Sequence, residues 1–348
     1  MHGRGASLNP ANRFERIELI ADPELDPAER PDPKTLFLRD ASRTVLSSNE
    51  SPDVPFDRSL NPYRGCEHGC AYCYARPTHE YLGFSAGLDF ETRILVKEDA
   101  PDLLRRELAQ PGYRPQPIAL SGVTDPYQPA ERGLELTRRC LEVLLDFRNP
   151  VLLITKNHLV TRDLDLLAEL SRFQACRVTL SITSLDLELS RKLEPRASQP
   201  RRRLAAIEKL AGAGVPVGVM AAPMIPGLND HELSAILSSA RQSGARFAGY
   251  IPLRLPHGVS ELFSAWLAEH YPHRREKVLN RVRSMRGGKL NDPNFGSRFR
   301  GQGPFADQML RLFEIARDRN GFEPVEELSV AAFRNPQAER QPQQLELF

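Results

Sequence analysis

From residue 59 onward the chain alternates two apolar patterns. Short, nearly all-apolar runs occur near 59–64, 117–124, 150–156, 177–183, 215–225 and 247–255. Such runs predict strands buried on both faces, as in a parallel sheet covered by helices. Between them lie segments with apolar residues at i, i+3, i+4 and i+7, among them LTRRCLEVLLDF, TRDLDLLAEL, RRRLAAIEKLAGAG and DHELSAILSSARQSG. These predict helices with one buried face. Glycines in GAGV and SGAR stand where a helix would stop and the next strand begin. Six strand–helix units fit a partial barrel, and on pattern alone a doubly wound open sheet stays open as well.

The flanks read differently. Residues 1–50 are rich in Pro, Asp, Glu and Arg without a sustained period and predict an irregular N-terminal extension. The core spans 51–290 and ends in two further helical stretches, VSELFSAWLAEHYP and HRREKVLNRVRSMRGGK. Residues 291–330 carry a basic Gly-rich loop, DPNFGSRFRGQGP, and the helix FADQMLRLFEIARDR; this part is expected to close the open side of the barrel. Residues 331–348 are polar except at the very end and predict a flexible tail.

With 348 residues, 41% of them hydrophobic, the chain can bury one large core or two modest ones. A net charge of +2 says little about partners. Arginine far outnumbers lysine, which a bias in genomic base composition would produce, so the position of each arginine matters more than the number. No apolar run approaches a membrane span, and the opening MHGRGASLNPANRF is polar. The 5 cysteines are odd in number and irregularly spaced, against a disulfide framework. A soluble protein of a reducing compartment, the cytoplasm, is expected.

Three of those cysteines, Cys66, Cys70 and Cys73, fall within NPYRGCEHGCAYCYAR. The C-x3-C-x2-C spacing gathers three thiolates on one loop and offers no fourth, so a metal centre held there keeps a coordination position open. Gly65 and Gly69 permit the tight turns. The alternative is a closed zinc site completed by His68 or His79, although no second C-x2-C knuckle follows. Cys140, in a helical stretch, and Cys176, at a strand start, read as small buried residues.

In α/β barrels chemistry gathers at the carboxyl ends of the strands. Polar residues recur there: the cysteine loop after strand one, Thr124 and Asp125 after strand two, Thr155 and Lys156 after strand three, Ser181 and Thr183 near the end of strand four. Strand five ends in Met224–Ile225 and strand six in Arg254. Singly, each has a plain reading, such as Asp125 capping the next helix or Ser181 bonding backbone.

The cysteine run, with Tyr72 before its last cysteine, resembles the signature of the radical S-adenosylmethionine (SAM) superfamily. The longer context NPYRGCEHGCAYCYARPTHEYLGFSAGLDFETRI, with SGVTDPYQPAE, LLITKNHLVTRDLDLL, LEPRA and APMIPGLND, resembles the spore photoproduct lyase-like branch, over roughly residues 50 to 300. The resemblance implies a partial (β/α)6 barrel. It also implies a [4Fe–4S] cluster on Cys66, Cys70 and Cys73 whose fourth iron takes SAM, and an external electron donor of flavodoxin or ferredoxin type. Thr124 with Asp125 would accept the SAM ammonium, Lys156 would meet its carboxylate, Ser181 would reach the ribose or sulfonium, and Tyr72 with Met224 and Ile225 would flank the adenine. The family's chemistry is cleavage of SAM to a 5′-deoxyadenosyl radical.

The substrate is less defined. Lyases of this branch act on DNA and carry a cysteine just after the second strand that returns a hydrogen to the product; here that segment is LSGVTDPYQP, without cysteine. Tyr74 or Tyr127 could serve instead, or the reaction differs. Two features point to nucleic acid. From Arg274 to Arg300, Arg281, Arg283, Arg286, Lys289, Arg298 and Arg300 are interleaved with Phe295 and Phe299, a combination suited to phosphate contact and base stacking, though also to a solvated helix face. The tail from Gln344 to Phe348, QLELF, resembles the peptide by which bacterial repair proteins dock on the DNA sliding clamp, with Leu345, Leu347 and Phe348 as anchors; these could equally fold back on the body. The expectation is a radical SAM enzyme acting on nucleic acid, by lesion repair or base modification. Its alternatives are the same chemistry on a protein or small molecule, or a non-catalytic metal-stabilised nucleic-acid-binding protein.

Overall fold

The computed structural model describes residues 3–10, 12–14 and 34–339. Its strands are β1 (Leu36–Arg39), β2 (Leu46–Ser48), β3 (Arg58–Leu60), β4 (Tyr63–Arg64), β5 (Arg93–Val96), β6 (Ile118–Leu120), β7 (Val151–Thr155), β8 (Cys176–Ile182), β9 (Val217–Met224) and β10 (Phe247–Pro252). The main sheet runs β10-β9-β8-β7-β6-β3-β2. All its neighbours pair in parallel except β2, which runs antiparallel to β3. Six parallel strands in chain order, each followed by helix, make the partial (β/α)6 barrel, because every strand-to-strand crossover places its helices on the outside.

Sequence and structure differ at the first predicted strand. The run 59–64 breaks into β3 and β4, which belong to two different sheets. Pro62 lies between them and has no N–H to continue a ladder, while its carbonyl accepts from Lys97 at 3.0 Å. The N-terminal region is less irregular than its composition suggests: β1 joins β5 and β4 in a small separate sheet, and β2 edges the barrel.

The main core lies between the sheet and outer helices that include Ala100–Leu108, Leu136–Phe147, Leu164–Arg172, Pro200–Gly212 and Leu233–Gln242. Cys140 and Cys176 sit in it, fully buried, as expected of small apolar residues. A second cluster underlies the cysteine loop. It packs Cys70, Ala71 and Tyr72 against Leu189 and Leu193 of helix Leu187–Leu193 and against Val259, Phe263 and Trp266 of helix Val259–His270. The Trp266 indole N–H donates to the Lys192 carbonyl at 3.0 Å, tying the two helices under the loop. No helix among the described residues is long and apolar enough to cross a membrane.

Candidate active site at the carboxyl ends of the strands

The cysteine loop is fastened at many points. Gly65 and Gly69 have φ of +83° and +63°, and a Cβ on Gly65 would lie 2.9 Å from the Phe90 carbonyl oxygen; both turns therefore depend on glycine. The fully buried Gln128 brackets the loop's start, accepting from Glu67 N at 2.9 Å and donating to Gly65 O at 3.2 Å. The equally buried Arg76 donates from Nε to the Cys70 carbonyl at 3.0 Å and pairs through Nη2 with Glu91 at 2.7 Å. From the far side, Ala71 N donates to Leu193 O at 3.0 Å and Arg196 N to His68 O at 3.3 Å.

Cys66 and Cys70 are buried and Cys73 partly so, with no disulfide among them. Burial pushes all three thiols up, reinforced for Cys66 by Asp125 and for Cys70 by Glu194. Three thiolates in this setting need a cation, so the donor set fits an iron–sulfur cluster with one ligand position left over. Among the described residues no group of three His, Cys, Asp or Glu side chains is disposed to hold a single ion. Both histidines have other partners: His68 lies 3.4 Å from Asp125 and 3.2 Å from Asn157 Nδ2, and His79 meets the Arg93 carbonyl at 2.9 Å.

Lys156 is the centre of the pocket. Leaving the end of β7, its Nζ donates to Ser181 Oγ (2.8 Å), Thr183 Oγ1 (3.0 Å) and the Ala222 carbonyl (2.9 Å), bridging the ends of β7, β8 and β9. It also lies 3.0 Å from Glu194 and 5.7 Å from the centre of the Tyr72 ring. Glu194 was invisible as a site residue in the sequence, although LEPRA contains it. It is fully buried and accepts from Tyr72, Thr183 and Arg203. Despite the burial, Arg203 and Lys156 hold its carboxyl far below the usual range. Arg203, also fully buried, donates in addition to the carbonyls of Ser181 and Ser198.

Asp125 and Thr124, the residues expected to meet the SAM ammonium, both have partners within the protein. The Asp125 carboxylate accepts from Tyr127 N (2.9 Å), Thr155 Oγ1 (2.7 Å) and Lys156 N (2.8 Å), so it pins the turn after β6 to the turn after β7. The Thr124 hydroxyl donates to the Tyr63 carbonyl at 3.0 Å. Asn61, which the sequence did not single out, accepts from three successive N–H groups, of Gly122, Val123 and Thr124, at 2.9 to 3.2 Å. It shapes a turn that starts at Ser121, a non-glycine residue at φ +104°. Such strain persists where surrounding contacts over-determine it, and it clusters at functional sites.

Tyr72 and Ile225 share the cluster beneath the cysteine loop, whereas Met224 belongs to the main core; all three are buried. Of the two candidate tyrosines, Tyr127 is fully buried and donates to Asp163 at 3.0 Å, with no surface for a substrate. Tyr74 lines the mouth. Its side chain is 52% exposed, and its hydroxyl donates to the Gly122 carbonyl at 3.0 Å.

The basic stretch from Arg274 to Arg300 does not act as one surface. Arg286 is buried and donates to the carbonyls of Ser297, Arg298 and Leu253. Arg298 is bound to Asp53 and Ser51, and Asp53 also accepts from Gly296 N at 2.6 Å. The loop after Asn291 is thereby latched onto the 51–53 segment. Arg281 instead pairs with Asp230 at 3.5 Å beside Phe305. Arg274, Lys289 and Arg300 are exposed. The peptide from Gln344 to Phe348 lies outside the described residues.

A partial (β/α)6 barrel with three thiols on the loop after its first parallel strand defines a class, and sequence comparison confirms it: residues 60–240 match the model of the radical SAM superfamily, to which this chain belongs. An uncharacterized protein of Mycobacterium tuberculosis is 37% identical over 245 residues, covering 70% of this chain and 71% of that protein. Another, from Methanocaldococcus jannaschii, is 29% identical over 223 residues, or 64% and 80% of the two chains. Among solved structures, spore photoproduct lyase complexed with dinucleoside spore photoproduct superposes with a TM-score of 0.59 over 82% of this chain and 80% of that one, at 18% identity. At that identity the likeness establishes the fold.

Proposed function

We propose that this protein is a radical SAM enzyme in which Cys66, Cys70 and Cys73 hold a [4Fe–4S] cluster and the strand ends beside it bind SAM. When bound, the cluster and SAM supply an electron and a cleavable sulfur–carbon bond, yielding a 5′-deoxyadenosyl radical. The observation that carries the reading is the placement of Lys156: a cation partly shielded from water, 16% exposed, just past the end of β7 and 5.7 Å from the ring of Tyr72 in the thiol loop, with Ser181 and Thr183 around it. Its ammonium has more acceptors than protons, so the incoming SAM carboxylate would replace a neutral acceptor while Glu194 keeps the lysine aimed. Asp125 and Asn61 act as positioning residues, fixing the turns that wall the pocket. Tyr74 stays a neutral phenol near pH 7 and keeps its hydrogen on Oη, the one candidate tyrosine facing the mouth.

For the substrate, nucleic acid is favoured by the aromatic and cationic residues that the latched loop brings to the mouth and by the lyase fold. The terminal QLELF peptide would concentrate the enzyme at a sliding clamp. Loss of Gln344 to Phe348 should then abolish clamp binding in a titration. The primary test is anaerobic reconstitution with iron and sulfide, followed by reduction with dithionite and SAM. 5′-Deoxyadenosine from the wild type and not from Cys70→Ala is expected. A zinc-bound protein that forms no cluster would favour the non-catalytic binding module instead.

A further inference from the structure

At the carboxyl end of β10, Arg254 lies between two aromatic rings, its guanidinium 4.5 Å from the centre of Phe299 and 5.9 Å from that of Tyr74. Its Nε is buried without a hydrogen-bond partner, and Arg254 forms no ion pair among the described residues. Two further arginines crowd it. Arg298 is bound to Asp53 and Ser51 and Arg286 to backbone carbonyls, and the nearby carboxylates of Asp53 and Asp292 offset the Arg254 charge without an ion pair to it among the described residues. Burial and these like charges hold both Arg254 and Arg286 below the ordinary guanidinium range, Arg286 down to about 10. Removing a cation from water without a partner is costly, and structures keep such an arrangement where a ligand completes it. The guanidinium's planar fork matches an oxyanion, and the rings on either side fix its plane. Phe295, stacked on Arg298 at 4.5 Å, turns 60% of its side chain to solvent beside the same opening.

We propose that Arg254, held between Tyr74 and Phe299, binds a backbone phosphate of a single-stranded or unstacked nucleic-acid substrate, with Phe295 as the stacking surface for an adjoining base. The inference rests on the nucleic-acid reading above and specifies where that substrate is gripped. Tyr74 directly follows Cys73, so a phosphate held here sets a nucleotide at the mouth beside the cysteine loop. Aromatic stacking paired with a cationic groove is the general means of holding unpaired strands.

The test is fluorescence anisotropy of a fluorescein-labelled, mixed-sequence ten-nucleotide single-stranded DNA against the full-length reconstituted protein, titrated at several salt concentrations. Arg254→Gln is expected to weaken binding about tenfold at low salt and to flatten the log affinity against log salt slope by about 0.7, the loss of one phosphate contact. Phe295→Ala should weaken binding several-fold and leave the slope unchanged. Arg191→Gln, an exposed arginine elsewhere, should change neither. Arg254→Lys keeps the charge, so it should retain the slope while losing affinity, and it serves as the second variant should Arg254→Gln fail to fold in a thermal melt. If the wild type binds with a clear salt slope and both Arg254 variants match it in affinity and slope, this site is refuted and the nucleic-acid reading stands. If the wild type does not bind at any salt concentration, the nucleic-acid reading falls and the site with it.

Discussion

The two sides of the barrel mouth treat charge in opposite ways. On the side of β7, β8 and β9 the buried charges are joined, Lys156 and Arg203 sharing Glu194, and at the cysteine loop Arg76 meets Glu91. On the side of β10, Arg254, Arg286 and Arg298 gather near the carboxylates of Asp53 and Asp292, and among the described residues Arg254 forms no ion pair with either. A network complete in itself fixes geometry, since breaking it leaves an uncompensated charge in a low-dielectric setting. An incomplete one is poised for something from outside. The β7–β9 side is thus built rigid, and the β10 side is the one with a cation left to receive a partner.

The largest effect should come from opening the complete side. Glu194→Ala leaves Arg203 buried and unpaired and is expected to cost about 3–5 kcal/mol in urea unfolding; a cost below about 1 kcal/mol would show that the network is not a stability unit. Acid probes the same comparison. Because the Glu194 carboxyl is held below its unfolded value of 4.5, its contribution is fully present above that pH and is lost as pH falls through the folded value. His79, fully buried and held down to about 4 from 6.5, resists protonation, so the fold loses about 3 kcal/mol as pH falls from 6.5 to 4 and no more below that. His79→Gln should flatten the unfolding midpoint across that window, and an unchanged slope there would assign the acid sensitivity elsewhere. The smallest effect belongs to the receptive side. Arg254→Gln removes a crowded cation that no described residue pairs in a salt bridge, so stability should stay within about 0.5 kcal/mol of wild type or rise slightly at low salt. A loss like that at Glu194 would erase the distinction between the two sides.

The barrel strands were legible because double-sided burial writes a continuous apolar run, and the cysteine loop because its ligands are close in sequence. Lys156, Ser181 and Thr183 were found from their strand-end positions, and the structure does bring them together. What pattern could not show were residues whose partners lie far along the chain. Glu194 meets Tyr72 across 122 residues and Gln128 holds Glu67 across 61; each looks like an ordinary surface polar residue until the fold joins them. Asp125 shows the same limit, since the sequence places a carboxylate at a strand end but not its contacts with Thr155 Oγ1 and Lys156 N. The small sheet of β1, β5 and β4 escaped because Leu36–Arg39 is an exposed edge without apolar alternation.

The latch between Asp53 and the loop carrying Gly296 and Arg298 joins points 243 and 245 residues apart. On a chain made from its N-terminus, the thiols leave the ribosome long before that contact can exist, and contacts so distant in sequence are slow to form. The two ends of the sheet are therefore joined only after residue 298 has emerged, so the join is among the last parts of the fold to form and is missing from any chain truncated before that point. Asp53→Ala should slow the final phase of refolding, read by stopped-flow fluorescence, more than it slows the earlier ones.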